Sequence, residues 1–232
     1  MKRFLILAPL LTVLSPPTGL AEVENDLTLG IEAVTGLRSD YVYRGFHLAG
    51  TTLDFQAEAE LALTNDTFLS LGGWLAAEVG GEFSELSGMA DLSHNLDERF
   101  TLGATLAYRS FQETFFRSGV DLGPYLTFRP TDDWAFTVGA YRDFGASSWY
   151  AHAEALWSRR LTDDAFLDVR GGVSVVDGYY ERSGFNDFYG RASLTYNVNR
   201  IVSLTPFLGW SLELLDGDGS EVLGGLWFEV SF

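Results

Sequence analysis

The sequence predicts an all-β protein: a transmembrane antiparallel up-and-down β-barrel of twelve strands. Three observations predict it. Apolar and polar residues alternate with a period of two after residue 27, tight polar turns alternate with looser Gly- and Ser-rich connections, and the last segment ends on an aromatic of its own apolar face.

The chain opens with Met1-Lys2-Arg3, an apolar run from Phe4 to Leu14, and a small-residue stretch ending Gly19-Leu20-Ala21. A basic head, an apolar centre and a small-residue end make a secretory signal, so residues 1–21 read as a cleaved signal peptide and residues 22–232 as one outer-membrane barrel domain. The run is too short to cross a bilayer as a helix, which takes about 20 residues. No later stretch approaches that length, which leaves an exported soluble protein or a barrel.

Alternation is clearest in Leu53 to Leu63, where Leu53, Phe55, Ala57, Ala59 and Leu61 share one face and Asp54, Gln56, Glu58 and Glu60 the other. Arg99 to Tyr108 and Asp187 to Val198 behave alike. Short turns are expected at Thr64-Asn65-Asp66, Leu96 to Arg99, Pro130 to Asp133, Leu161 to Asp164 and Asn197 to Arg200, where Asn and Asp tolerate unusual backbone angles and bond their own main chain. Between them fall longer connections around Leu48–Thr51, Gly80–Glu85, Gln112–Gly119, Gly145–Ser147, Asp177–Asn186 and Asp216–Ser220. Short turns at one end and long loops at the other is the asymmetry of outer-membrane barrels, with the turns periplasmic. The segments number twelve, and an even count follows the bacterial rule. Leu86–Leu96 is the weakest, diluted by Gly88, His94 and Asn95, so ten strands remain the alternative. Pro124 and Pro206 fall inside strands of a barrel with no free edge and are expected at bulges or at the membrane boundary.

Aromatics, 18 Phe, 10 Tyr and 6 Trp, supply candidates for interfacial girdles at Tyr41, Tyr43, Trp134, Phe144, Trp149, Trp157 and Trp210. The final segment from Glu221 carries Leu226, Phe228, Val230 and Phe232 on one face. An alternating last strand with a terminal aromatic resembles the signal read by the barrel-assembly machinery. Expected partners are therefore that machinery during biogenesis, outer-membrane lipid and small solutes.

The chain holds 32 acidic and 15 basic residues, with no lysine after Lys2 and no cysteine. So acidic a protein excludes nucleic acid as a partner, and disulfides and thiolate sites do not arise. The second face of each strand points inward, giving Asp54, Glu58, Glu60, Glu78, Arg109, Asp121, Arg129, Asp143, Asp168, Arg170, Arg191 and Glu213 as pore-lining candidates. Charges in such number cannot be buried dry and unpaired. Either water fills the lumen, or acids and arginines pair and plug it, and the channel reading is preferred. Twelve strands lie between filled eight-stranded barrels and open porins, so a narrow pore for small polar or cationic solutes is expected. The alternative is a non-conducting structural barrel, or one that binds through loops such as Gly178–Phe185 or the acidic Asp216–Gly219.

Catalysis is not expected. His47, His94 and His152 are the only neutral-pH bases, they lie far apart in sequence, and neither a nucleophile motif nor a His-x-x-x-His pair accompanies them. No cofactor and no metal ligand is expected.

The stretch Ser39-Asp40-Tyr41-Val42-Tyr43-Arg44-Gly45, placed near the end of the first strand, resembles the SDYVFRG signature of the TorF-type porin family of Gram-negative outer-membrane proteins. Gln56 and Gly72-Gly73-Trp74 follow at family-like distances, while Tyr43 replaces the family's Phe and Leu75 to Glu78 depart from its pattern. The resemblance covers chiefly residues 39–78 and implies an outer-membrane barrel with pore activity, without a substrate or catalytic residue.

Overall fold

The computed structural model describes residues 29–214 and 219–231. The expected signal peptide, most of the acidic loop Asp216–Gly219 and the terminal Phe232 lie outside the described residues. Among the described residues the chain forms strands and no helix: β1 (Leu29–Arg38), β2 (Tyr41–Tyr43), β3 (Phe46–Ala49), β4 (Thr52–Ala62), β5 (Thr67–Glu78), β6 (Ser84–Asn95), β7 (Phe100–Gln112), β8 (Gly119–Thr131), β9 (Trp134–Asp143), β10 (Ser148–Arg160), β11 (Ala165–Tyr179), β12 (Arg182–Asn197), β13 (Val202–Glu213) and β14 (Glu221–Ser231).

Twelve of these strands close into an antiparallel barrel in which sequence neighbours pair and β1 seals against β14, from Glu32↔Ser231 to Arg38↔Gly225. On its other side β1 pairs with β4, because β2 and β3 leave the wall and form a two-stranded sheet of their own. β6 pairs without a break to both β5 and β7, which removes the ten-stranded alternative. Two continuous ladders close a strand whose apolar face is carried by only Leu86, Ala90 and Leu92.

The two faces separate as alternation requires. Leu53, Phe55, Leu71, Leu75, Leu102, Leu106, Leu122, Val138, Leu208 and Phe228 are exposed on the outside, while Glu32, Asp54, Glu58, Asp91, Asp121, Arg170 and Arg191 are buried on the inside. An apolar exterior around a charged interior suits lipid, not water. Leu226 and Phe228 of the terminal face are exposed outward, with Val230 half-buried beside them.

Four of the five short turns share one pattern, a backbone bond across five residues: Leu63 N to Thr67 O at 2.9 Å, Leu96 N to Phe100 O at 2.8 Å, Leu161 N to Ala165 O at 2.8 Å and Val198 N to Val202 O at 2.9 Å; the fifth is a two-residue turn closed by Thr131↔Trp134. Asp97 Oδ1 accepts from the Arg99 and Phe100 amides at 2.7 and 2.8 Å, and Asn199 Oδ1 does the same for Ile201 and Val202 at 2.8 and 2.9 Å. These side chains stand in for a missing strand partner.

Four expectations need correction. Pro124 and Pro206 are neither bulges nor boundary residues: both sit mid-strand, opposite Ala104 and Leu226, and the register is unchanged across them. The ladder is interrupted only on the side facing β9 or β12, between Leu122↔Arg142 and Tyr125↔Gly139, and between Ser193↔Phe207 and Tyr196↔Leu204. Each proline thus costs a local gap in one ladder and no shift. Glu85, expected in a loop, is a fully buried residue of β6. Asp177–Asn186 is not a long loop, because β11 and β12 continue to the pair Tyr179↔Arg182 around a two-residue turn at Tyr180-Glu181, φ 47° and 73°. Positive φ at both positions matches the twist of the flanking strands. Finally, Tyr41 and Tyr43 do not belong to a girdle; they are buried inside the barrel, whereas Trp134, Phe144 and Trp149 are exposed on its outside.

Leu106 lies mid-strand on β7, exposed on the outer face. Leu106→Arg is expected to destabilise the barrel by about 2–4 kcal/mol when folding into lipid vesicles is followed by urea titration. Leu161→Arg, in a short turn, should stay within about 0.5 kcal/mol.

Candidate functional site

The site begins where the chain leaves the wall after Arg38. Ser39 is pinned to β14 by its amide, bonded to Gly224 O at 2.8 Å, and by its hydroxyl, which accepts from Gly224 N at 3.1 Å. β2 and β3 then form a hairpin, Tyr43↔Phe46, around a two-residue turn at Arg44-Gly45 with φ 50° and 79°. Both residues need the left-handed region, which Gly45 adopts freely and Arg44 does not. A Cβ on Gly45 would also meet Asn186 Nδ2 at 2.8 Å, so the tip admits no larger residue without movement. The stretch expected to finish the first strand is instead a hairpin folded into the lumen.

Arg44 at the tip meets a pair of carboxylates. Asp121 on β8 and Asp143 on β9 are direct cross-strand partners, an arrangement that is repulsive when left alone. The guanidinium lies between them, Nη2 to Asp121 Oδ2 at 2.9 Å and Nη1 to Asp143 Oδ2 at 3.0 Å, with its side chain 9% exposed. Arg44 Nη1 also donates to Tyr179 Oη at 2.9 Å, and that hydroxyl donates to Asp143 Oδ2 at 2.9 Å. Asn186 Nδ2 donates to the Arg44 carbonyl at 2.8 Å. The strain of the turn is held by these contacts on every side.

The network extends along the wall. Arg109 donates to Glu85 Oε1 at 2.9 Å and to Asp121 Oδ2 at 3.1 Å, and Tyr41 donates to the other oxygen of Glu85. Arg38 Nε bonds Asp54 Oδ2 at 2.6 Å while its guanidinium lies over Trp74 and Tyr41. Arg182 pairs with Glu213 and covers the Phe46 ring at 3.7 Å. Glu78 accepts from the Gly50 amide at 3.0 Å and so holds the exit of the hairpin. Aromatics fill the rest: Tyr43, Phe46, Phe116, Tyr150 and Tyr179 form one buried cluster, with Phe46 edge-on to Phe116 at 5.3 Å.

All twelve pore-lining candidates lie on the inward-pointing face, but they divide into two groups. Asp54, Glu78, Arg109, Asp121, Asp143 and Glu213 are engaged in or around the hairpin at the long-loop end. Glu58, Glu60, Arg129, Asp168, Arg170 and Arg191 lie beyond it, toward the middle and the short-turn end. There Glu58 faces Glu32 in register, Arg170 faces Arg191, and Arg191 lies over Trp227 at 4.6 Å. Glu60 receives only Ser70 Oγ at 3.5 Å, and Asp91 accepts from Thr105 and Tyr125 at 2.6 and 2.7 Å. Among the described residues, Glu58, Glu60 and Asp91 have no cation within ion-pair distance. A cavity of about 230 Å³ lies beneath the hairpin, lined by Arg44, Asp91, Arg109, Asp121, Arg170 and Arg191 among others; a wider one of about 580 Å³ forms the mouth above it, against Phe46, His47, Phe115 and Arg182.

Sequence reading does not single out Arg38, Glu85 or Asn186, nor the inward course of Tyr41 and Tyr43, and it places Tyr179 in a loop. The one local sign of the hairpin is Arg-Gly between Tyr43 and Phe46, weaker than the Asn-Gly that marks such turns. In the expected partner-gripping loop Gly178–Phe185, Tyr179 is fully buried within the barrel while Phe185 is exposed.

The sequence matches no protein-family model, and no curated protein matches it. Solved structures do match. The KdgM porin is 10% identical with a TM-score of 0.57, covering 88% of this chain and 99% of its own. The NanC porin is 11% identical with a TM-score of 0.58, covering 87% and 98%. An outer membrane channel from Pseudomonas putida F1 is 16% identical with a TM-score of 0.54, covering 94% and 99%. LpxR from Salmonella typhimurium is 10% identical with a TM-score of 0.56, covering 87% and 99%, so at these identities the likeness is one of fold.

Removing Arg44 takes the ion-pair partner from Asp143 and leaves Asp121, which faces it, with Arg109 alone. Arg44→Ala is expected to destabilise the barrel by about 3–5 kcal/mol in urea unfolding from detergent micelles, and a second change, Asp143→Asn, should restore part of that loss by removing one of the two charges.

Proposed function

We propose that this protein is a narrow outer-membrane channel for small polar or cationic solutes, with the β2–β3 hairpin as its constriction. The observation that carries the reading is the charged inner wall of a closed barrel whose exterior is apolar. A side-chain-filled barrel has no use for Glu58, Glu60 and Asp91 without cations beside them, whereas a wetted passage does. The low-dielectric wall focuses their field into the lumen and favours cations over anions. The porin and channel folds that the chain resembles support the same reading, as does the TorF-type signature, whose residues form the constriction. Location in the outer membrane of a Gram-negative bacterium, reached through the signal peptide and the barrel-assembly machinery, belongs to this proposal.

A non-conducting barrel is the second reading, favoured by the aromatic cluster packed around the hairpin. An enzyme is not favoured. His47 lies at the mouth, His94 bonds Thr67 at the short-turn end, and His152 stacks on Tyr141 inside the wall, so no two of them share a site.

Planar-bilayer recording across a salt gradient tests the proposal. Small, cation-selective unitary currents are expected, and replacing residues 41–48 by a short Gly-Ser linker should raise the conductance severalfold. Glu58→Gln with Glu60→Gln should move the reversal potential toward zero. Silence from both the native barrel and the shortened one supports the non-conducting reading, and anion selectivity contradicts the proposed solute class.

A further inference from the structure

We propose that Asp40, His47 and Glu221 form a binding site for a divalent transition metal, zinc above others, at the root of the inward hairpin. One ligand atom from each lies within 4.8 Å of those of the other two, and His47 Nε2 stands 3.4 Å from Asp40 Oδ1. Zinc held at about 2.0–2.2 Å by nitrogen and oxygen donors places neighbouring ligands roughly 3.4 Å apart in a tetrahedron. One edge of that tetrahedron is already present, and a small rotation of the part-exposed carboxylates closes the other two.

The donors suit this ion. An imidazole with two carboxylates is a mixed nitrogen and oxygen set, which fits zinc, whereas calcium and magnesium prefer oxygen alone. Access is open, because the His47 and Asp40 side chains are 42% and 29% exposed and His47 borders the mouth cavity, leaving the fourth position to water. The three residues come from three segments: the bend before β2, β3 itself, and the first residue of β14. Their sequence spacing follows no metal-binding pattern, which is why the sequence names no metal ligand; the hairpin's return alone brings them together. A bound ion would tie both arms of the hairpin to the wall where Ser39 already bonds Gly224, and so stiffen the hairpin from its root. The site does not depend on the barrel conducting.

The test is calorimetric titration of the folded, detergent-solubilised barrel with zinc chloride, paired with cobalt(II) absorption. One site per chain in the micromolar range and the intense visible bands of four-coordinate cobalt are expected. His47→Ala and Glu221→Gln should each weaken binding by at least about tenfold. His94→Ala, far from the site, should leave it unchanged, and unaltered heat-modifiable gel migration shows that each variant is folded. Absence of binding at millimolar zinc, zinc binding that survives His47→Ala, or equal competition by calcium overturns the proposal.

Discussion

Asp121 and Asp143 face each other across β8 and β9, and the inward course of the hairpin depends on the one guanidinium, Arg44, that lies between them. In a barrel whose outer face meets hydrocarbon, neither carboxylate can turn outward, and at the long-loop end neither is well hydrated. Of the two, Arg109 of β7 reaches Asp121 alone, so a further cation has to come to Asp143. The chain delivers it by folding ten or so residues back through the mouth, and the cost of positive φ at Arg44 is offset by five contacts at its head and carbonyl. Tyr41, Tyr43 and Phe46 then pack because Arg44 has placed them, and Glu85 with Arg109 takes up the remaining charge.

This arrangement divides the interior in two. The long-loop half is packed and neutralised, a small aromatic core built inside a barrel. In the short-turn half Arg170 pairs with Glu154 at 3.9 Å, while Glu58, Glu60 and Asp91 have no cation within ion-pair distance among the described residues. Carboxylates without a cation are tolerable where water or mobile ions screen them, and costly where they are dry. The same alternation that satisfies the lipid therefore produces a half packed around the hairpin and a half that holds carboxylates without cations.

The wall of the barrel was legible in the sequence because both of its requirements are local. Alternation needs only residues two apart, as in Leu53 to Leu63, and the short turns need only Asn or Asp at fixed offsets, as at Asp97 and Asn199. The hairpin was not legible, because Tyr41, Val42 and Tyr43 continue the period of two that β1 sets, and nothing in that period says whether a strand stays in the wall. Its place is decided by Asp121, Asp143, Tyr179 and Asn186, residues about 80 to 140 positions away along the chain. The same distance hid the strand extension at Tyr179 and Arg182, where Gly and Ser imitate a loop although the backbone remains paired. For the interior charges, alternation identified the face, while which of them meet the hairpin and which lie beyond it followed from the hairpin.

Amide hydrogen exchange in lipid, read at residues 41–46, bears most directly on whether that hairpin is held inside the barrel. Buried around Arg44 as described, these amides should exchange as slowly as those of the neighbouring wall strands β8 and β9. Exchange at the rate of an exposed loop, with the wall strands still protected, would place the hairpin outside the lumen and contradict the account.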